Sequence, residues 1–431
     1  MMSRRWDTCG VSAPFTSPLA ESLAEPLLER FLRYVRVDTQ ARPGGGGTPS
    51  SSGQRVLGKM LVEELRGLGI DDVEMDQYGY VIAKLRASHP EGAETIGLLA
   101  HLDTSPDAPG AGVVPIVHRA YGGGVIVLPA AGTRLDPVAM PELAAKVGHD
   151  VVTASGDTLL GADDKAGVAA IMTALAHLCA HPEIPRPGLA IAFTPDEEAG
   201  HGASMLDLER FGASCAYTVD GSEMGELQDE TFSAVEVSMV ITGVDVHPGF
   251  AKNKLVNALR LACRVVAELP ADRLAPEVTS GREGFIHPHG LDGSPARAHL
   301  RFIVRDFDDT LLDEHVALLQ AIARRVVEAE PRATLEIAVR EQYRNMGRYL
   351  AASPRVVQAA AEAMLAEGIE PRRDPIRGGT DGSQLSARGL PTPNIFDGGH
   401  EYHSVREWAS LQEMAAAAAT LVRLCEIWAT H

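Results

Sequence analysis

The sequence contains no apolar run approaching the roughly 20 residues that a membrane-crossing helix needs, which argues against a helical membrane anchor. Positive charge is also scarce. Lys and Arg number 39 against 58 Asp and Glu, a formal net charge of −19. Binding to nucleic acid or to an anionic membrane calls for a basic face, so neither partner is expected. The acidic excess keeps a protein soluble, or attracts cations. The five cysteines, Cys9, Cys179, Cys215, Cys263 and Cys425, are odd in number and scattered, with no Cys-x-x-Cys pair. Thiolate zinc sites and disulfide scaffolds need tighter spacing, and a reducing cytoplasm is the expected compartment. Ser3-Arg4-Arg5 is followed by Trp6, Asp7 and Thr8 rather than by an apolar segment, so no export signal is read there. The loop Gly44 to Gly53 lacks Gly-Lys-Ser/Thr and is not a phosphate-binding loop.

What is present is a large apolar fraction, 45% of 431 residues, enough for a sizeable core and long enough for two domains. Residues 1–25 read as a disordered tail. From Pro26 onward, Leu27, Leu28, Phe31, Leu32 and Val35 share one helical face, and a second helix is predicted from Gln54 to Leu68. Short apolar runs predict buried strands at Ile96–Ala100, Leu189–Phe193, Ala216–Val219 and Pro393–Phe396, with a helix at Ala166–Leu178 between the first two. Strands alternating with helices indicate an open α/β sheet. The middle of the chain differs. Strand-like alternation at Val235–Ile241, Ala298–Val304 and Ala333–Val339 is interleaved with helices at Leu255–Leu269 and Thr310–Glu328. This pattern predicts a smaller α+β domain at 232–346, inserted between two parts of the main domain, 26–231 and 347–431.

The chemistry-bearing residues gather at the ends of the predicted strands. His101-Leu102-Asp103 follows the first, Asp196-Glu197-Glu198 the second, Asp220 the third, and His403 lies a few residues beyond the fourth. Gly161-Ala162-Asp163-Asp164-Lys165 immediately precedes a helix. Each piece alone has a plainer reading: a surface pair, a solvated acidic turn, a helix cap, an exposed loop histidine. Together they count for more, because ligand sites in open α/β sheets form outside the carboxyl ends of the strands. Two imidazoles with several carboxylates suit Zn²⁺, Mn²⁺ or Co²⁺, and one bridging carboxylate would allow two ions. A pair of ions clamps a hydrolytic transition state.

Longer stretches carry a resemblance. They include residues 28–40 (LERFLRYVRVDTQ), His101 to Asp107, residues 158–175 (TLLGADDKAGVAAIMTAL), Thr194 to Gly200 (TPDEEAG), Tyr217 to Leu227, Val246 to Gly249, Arg305 to Phe307, Pro375 to Leu385 (PIRGGTDGSQL) and Leu390 to Gly399. On these the chain resembles the peptidase T branch of the dimetal metallopeptidases, a family that includes aminoacylases and glutamate carboxypeptidases. The resemblance runs from about residue 27 to the C-terminus. It implies a mixed-sheet dimetal exopeptidase domain of α/β class with an inserted α+β lid domain. It further implies His101, Asp163 and Asp220 as ligands of one ion, and Asp163, Glu198 and His403 as ligands of the other. Glu197 would be the general base, and Asp103 the carboxylate that orients His101. In the lid, His247 would stabilise the oxyanion and Arg305 would clamp the substrate carboxylate, with Asn257 and Arg377 as further substrate contacts. Of the two histidines in Gly399-His400-Glu401-Tyr402-His403, the second aligns with the family ligand. The segment after Gly284 is expected to be a variable loop. The implied activity is removal of the N-terminal residue from short peptides, chiefly tripeptides, with two zinc ions, or cobalt or manganese, and with dimerisation through the lid. A dipeptidase or N-acyl amino-acid deacylase would use the same site. A non-catalytic metal-binding scaffold would be expected to lack Glu197 or a ligand, and all are present.

Overall fold

The computed structural model describes residues 15–42, 44, 47–88, 94–130 and 132–430. The chain forms two compact units. The first comprises residues up to Asp229 with Tyr349–Asp374 and Thr380–His431; the second comprises Glu230–Arg348 with Pro375–Gly379.

The first unit is built on a seven-stranded sheet, in the order Val73–Met75, Val81–Leu85, Gly188–Thr194, Thr95–His101, Cys215–Val219, Asn394–Ile395 and Leu227–Gln228. The central strand Thr95–His101 runs parallel to both its neighbours, and Asn394–Ile395 runs parallel to Cys215–Val219. The strands outside these pair antiparallel, so the sheet is mixed. Leu98, Leu99, Ile191, Ala192 and Tyr217 are all fully buried. Burial on both faces is why these strands read as continuous apolar runs rather than as alternation. The helix Ala162–Ala180 is buried almost all round and packs on the central strands. Gly167 permits that approach: a Cβ there would lie 1.8 Å from the Val219 carbonyl oxygen. The helices Pro18–Tyr34 and Leu411–Ala429 pack on it and on each other. A second, antiparallel sheet joins Gly399–His400, Trp408–Ser410, Val151–Thr153 and Ile116–His118.

The second unit is a four-stranded antiparallel sheet in the order Phe285–Gly293, Arg297–Asp306, Ser233–Thr242 and Thr334–Tyr343. The helices Ala258–Ala267 and Asp309–Glu328 cover one face, over a core that includes Val237, Met239, Leu300, Phe302 and Leu319. Asn257 and Asp308 cap these helices by accepting backbone N–H bonds at their first turns.

Three expectations need correction. The first helix begins at Pro18, not at Pro26, because Ser17 accepts the Ala20 N–H and Pro18 opens the helix; Ala20, Leu23 and Ala24 are buried. Residues 18–25 are therefore helical rather than part of a tail, and the rest of that expectation falls on residues 1–14, outside the described residues. The segment after Gly284 is not a loop but the edge strand Phe285–Gly293, with a register shift between Pro288 and Gly290. Proline within the run hid it, since proline is tolerated in sheets at edges and bulges. Pro375–Gly379 belongs with the second unit, where Ile376 bridges to Thr231.

Candidate dimetal centre

The central strand ends at His101, and the turn beyond it carries Asp103. His101 Nδ1 lies 3.0 Å from the Asp103 carbonyl oxygen and 3.4 Å from its carboxylate. Donating Nδ1–H there leaves the Nε2 lone pair facing Asp163 Oδ1 at 2.8 Å and Asp220 Oδ1 at 3.6 Å. The Asp103 carboxylate has further work: it accepts the backbone N–H groups of Glu197 at 3.0 Å and Glu198 at 3.1 Å. One acidic residue thus ties the end of one strand to the end of its neighbour.

Glu197 and Glu198 are adjacent, and a turn must present them differently. Asp196 supplies it, with φ at +58°. Its carboxylate is fixed by Ser50 N–H and by Gln54 Nε2 at 2.8 Å. At the third strand end, Asn394 clamps Asp220 by accepting its N–H at 3.0 Å and donating to its carbonyl at 2.8 Å. The loop bearing Asp163 hangs on Glu407, which accepts the N–H groups of Leu160, Gly161 and Asp163. Asp164 turns inward, accepting the His101 and Gly167 N–H groups.

His403 closes the site. Its Nε2 lies 2.9 Å from Glu198 Oε1 and 3.2 Å from Asp163 Oδ2, while Nδ1 faces Asp107 Oδ2 at 3.3 Å. His400 stands apart: it is buried, stacked on Trp408 and bonded to Glu413 at 2.8 Å. The two oxygens of Asp163 therefore face two different histidines, Oδ1 toward His101 and Oδ2 toward His403.

Ligand atoms of His101, Asp163 and Glu198 lie within 4.8 Å of one another, as do those of His101, Asp164 and Asp220. Burial pushes the Glu198 carboxyl up to about 7 and that of Asp220 up to about 6, and raises Glu197, Asp164 and Asp397 well above the usual range; neighbouring carboxylates add to it. Burial acts the same way on Asp163, but hydrogen bonds from the two histidines outweigh it and hold this carboxyl below its usual range. Hydrogen bonds to Asp163 and Glu198 push the His403 imidazole up to about 11. The negative field that favours a proton on His403 equally favours a divalent cation, and the mixed N/O donor set fits two such ions.

The remaining candidates lie in the second unit. His247 Nδ1 accepts the Gly249 N–H at 3.1 Å, which puts the proton of the neutral ring on the exposed Nε2. Arg305 forms no ion pair with Asp306 or Asp308; it donates to the Arg377 carbonyl at 3.1 Å and its buried Nε has no partner. Asp306 pairs with His315 instead. Asn257 is a helix cap, and Arg377 donates to the carbonyls of Gly281 and Glu283 and to Thr279 Oγ1. Sequence reasoning placed Asp164 and Asp196 in the strand-end clusters without giving them a role, and it missed Asn394 and Glu407, which shape the site without the motif spacing that would single them out.

Among the described residues no helix is long and apolar enough to cross a membrane. Residues 155–427 match the model of peptidase family M20/M25/M40. The chain is 45% identical over 405 residues to a peptidase T of Shouchella clausii, covering 94% of this chain and 98% of that one. It is 45% identical over 407 residues to a peptidase T of Geobacillus kaustophilus, covering 94% and 99%. The crystal structure of aminopeptidase PepT from Bacillus cereus shares the fold at a TM-score of 0.73 and 24% identity, over 94% of this chain and 99% of that one. With the strand-end carboxylates and histidines assembled as above, the chain belongs to peptidase family M20/M25/M40 and, within it, to the peptidase T proteins.

Proposed function

We propose that this protein is a metal-dependent aminopeptidase that hydrolyses the first peptide bond of short peptides, chiefly tripeptides. The observation that carries this reading is Asp163, whose two oxygens face His101 and His403. His101, Asp163 and Asp220 would hold one ion, and Asp163, Glu198 and His403 the other, with zinc the first choice and cobalt or manganese admissible. When bound, the pair of ions supplies Lewis acidity to the scissile carbonyl and to the attacking water. Glu197 takes the proton released as water adds to the carbonyl carbon, then gives it to the leaving amine as the C–N bond breaks. Burial, which raises its affinity for a proton, suits it to both transfers. Asp103 fixes His101 and, through two backbone N–H groups, the placing of Glu197 and Glu198.

His247 is assigned to the oxyanion, supported by its Nε2–H donor. Arg305 is assigned to the substrate carboxylate, with Asn257 and Arg377 as neighbouring contacts. We assign the protein to the cytoplasm, as a homodimer joined through the second unit, where Thr334–Tyr343 is an edge strand.

The test is cleavage of three matched peptides by the metal-loaded protein, read by mass spectrometry: a free-amine tripeptide, its N-acetylated form and the corresponding dipeptide. Release of the first residue from the free tripeptide alone is expected. Preference for the acetylated peptide would make it a deacylase, and preference for the dipeptide a dipeptidase.

A further inference from the structure

An aminopeptidase must recognise a protonated α-amine, and a carboxylate is the natural partner for it. Most carboxylates around the dimetal centre are already committed. Asp103, Asp196 and Glu407 each hold several N–H groups. Asp381 holds Thr194 and the Ala203 N–H; Asp397 takes Tyr402 and the Gly399 N–H on Oδ1, and the residue, unpaired Oδ2 included, is fully buried. Asp163, Asp220 and Glu198 are the proposed ligands, Asp164 is buried on the backbone, and Glu197 is the base.

Asp107 differs from all of these. Its side chain is 68% exposed, yet Oδ2 lies 3.3 Å from His403 Nδ1, one imidazole ring away from the ligand nitrogen. The loop that carries it is fixed: Gln40 Nε2 donates to the carbonyls of Ser105 and Ala108, Asp107 N–H donates to Ser105 Oγ, and Leu159 N–H donates to the Pro109 carbonyl. A residue needed only to orient a metal-binding histidine would be expected to sit as Asp103 does, fully buried beside His101. An exposed carboxylate on a braced loop at the rim of the centre is placed to meet substrate.

We infer that Asp107 binds the α-ammonium group of the peptide, with one oxygen on His403 Nδ1–H and the other on the ammonium. This rests on the aminopeptidase reading above, and it makes Asp107 the residue that separates free-amine peptides from N-acylated ones. The α-nitrogen lies two bonds from the scissile carbonyl carbon, so a carboxylate next to a ligand histidine is within its reach.

The decisive variant is Asp107→Asn, because its amide oxygen still accepts the His403 N–H while the charge is lost. With trialanine as substrate, KM is expected to rise about tenfold to a hundredfold, as for loss of a charged hydrogen bond. Elemental analysis should still find two ions per chain, kcat should move far less than KM, and Asp107→Glu should recover much of the loss. Selectivity for trialanine over N-acetyl-trialanine should fall in parallel with the change in KM. An unchanged KM overturns the assignment. So does a loss of bound metal or of kcat at constant KM, which would make Asp107 a positioning residue for His403. If wild-type protein cleaves N-acetyl-trialanine and leaves trialanine intact, the aminopeptidase reading fails first and the assignment falls with it.

Discussion

In the proposed mechanism, Glu197 is the residue at which chemistry and metal binding part company. Its neighbour Glu198 faces His403, whereas Glu197 is assigned no ion. Glu197→Gln should therefore retain both ions by elemental analysis while kcat falls by about 10²–10⁴, the usual worth of a positioned acid–base group. Wild-type turnover in that variant would remove Glu197 from the mechanism. That these groups gather at one place was legible in the sequence, because acids and imidazoles at strand ends have few structural uses in that number. Their supports were not legible. Asp196 looks like one more acid in an acidic turn, and only its φ of +58° and its bonds to Ser50 and Gln54 show that it shapes the bend for Glu197 and Glu198. Glu407 lies 244 residues from the Asp163 N–H that it receives, beyond the reach of any local pattern.

Elements bring a different constraint, since the loop bearing His403 is held by the first turn of the C-terminal helix. Glu413 is fully buried there, bonded to His400 at 2.8 Å and to Lys146 at 2.6 Å. Burial alone would raise its carboxyl, but the His400 hydrogen bond and the Lys146 charge outweigh burial and hold it below its usual value of 4.5. A carboxyl depressed by folding stabilises the native state above its unfolded pKa, and that contribution is lost as pH falls through the folded pKa. Wild-type melting temperature should thus fall more steeply than that of Glu413→Gln as pH drops below the ordinary carboxyl value of 4.5. Equal slopes would show that this cluster has no part in acid stability. Elements with strong periodicity, such as Asp309–Glu328, were legible to within a residue or two. The edge strand Phe285–Gly293 was not, because Pro288 and a register shift break its alternation. The small sheet that carries Gly399–His400 was missed for another reason: its strands are two or three residues long.

For the whole molecule, metal is expected to matter to stability as well as to turnover. Ions that bind the folded chain and not the unfolded one shift the equilibrium toward the fold. A strong chelator should abolish peptide hydrolysis and lower the melting temperature, and Zn²⁺, Co²⁺ or Mn²⁺ should restore both. Full activity in a sample shown by elemental analysis to be metal-free would refute the dimetal account.

The sequence by itself determined the class of fold, marked out the middle of the chain as different in pattern, and named the acids and imidazoles proposed as ligands. Each of these is written in local pattern: apolar runs, alternation, and acids or imidazoles placed at the ends of runs. Tertiary structure alone decided how the ligands are shared and held. Asp163 faces two histidines because its loop is drawn in by Glu407, and His403 rather than His400 enters the site because His400 is buried against Trp408 and Glu413. Contacts of that kind join residues tens to hundreds of positions apart, and no local periodicity records them.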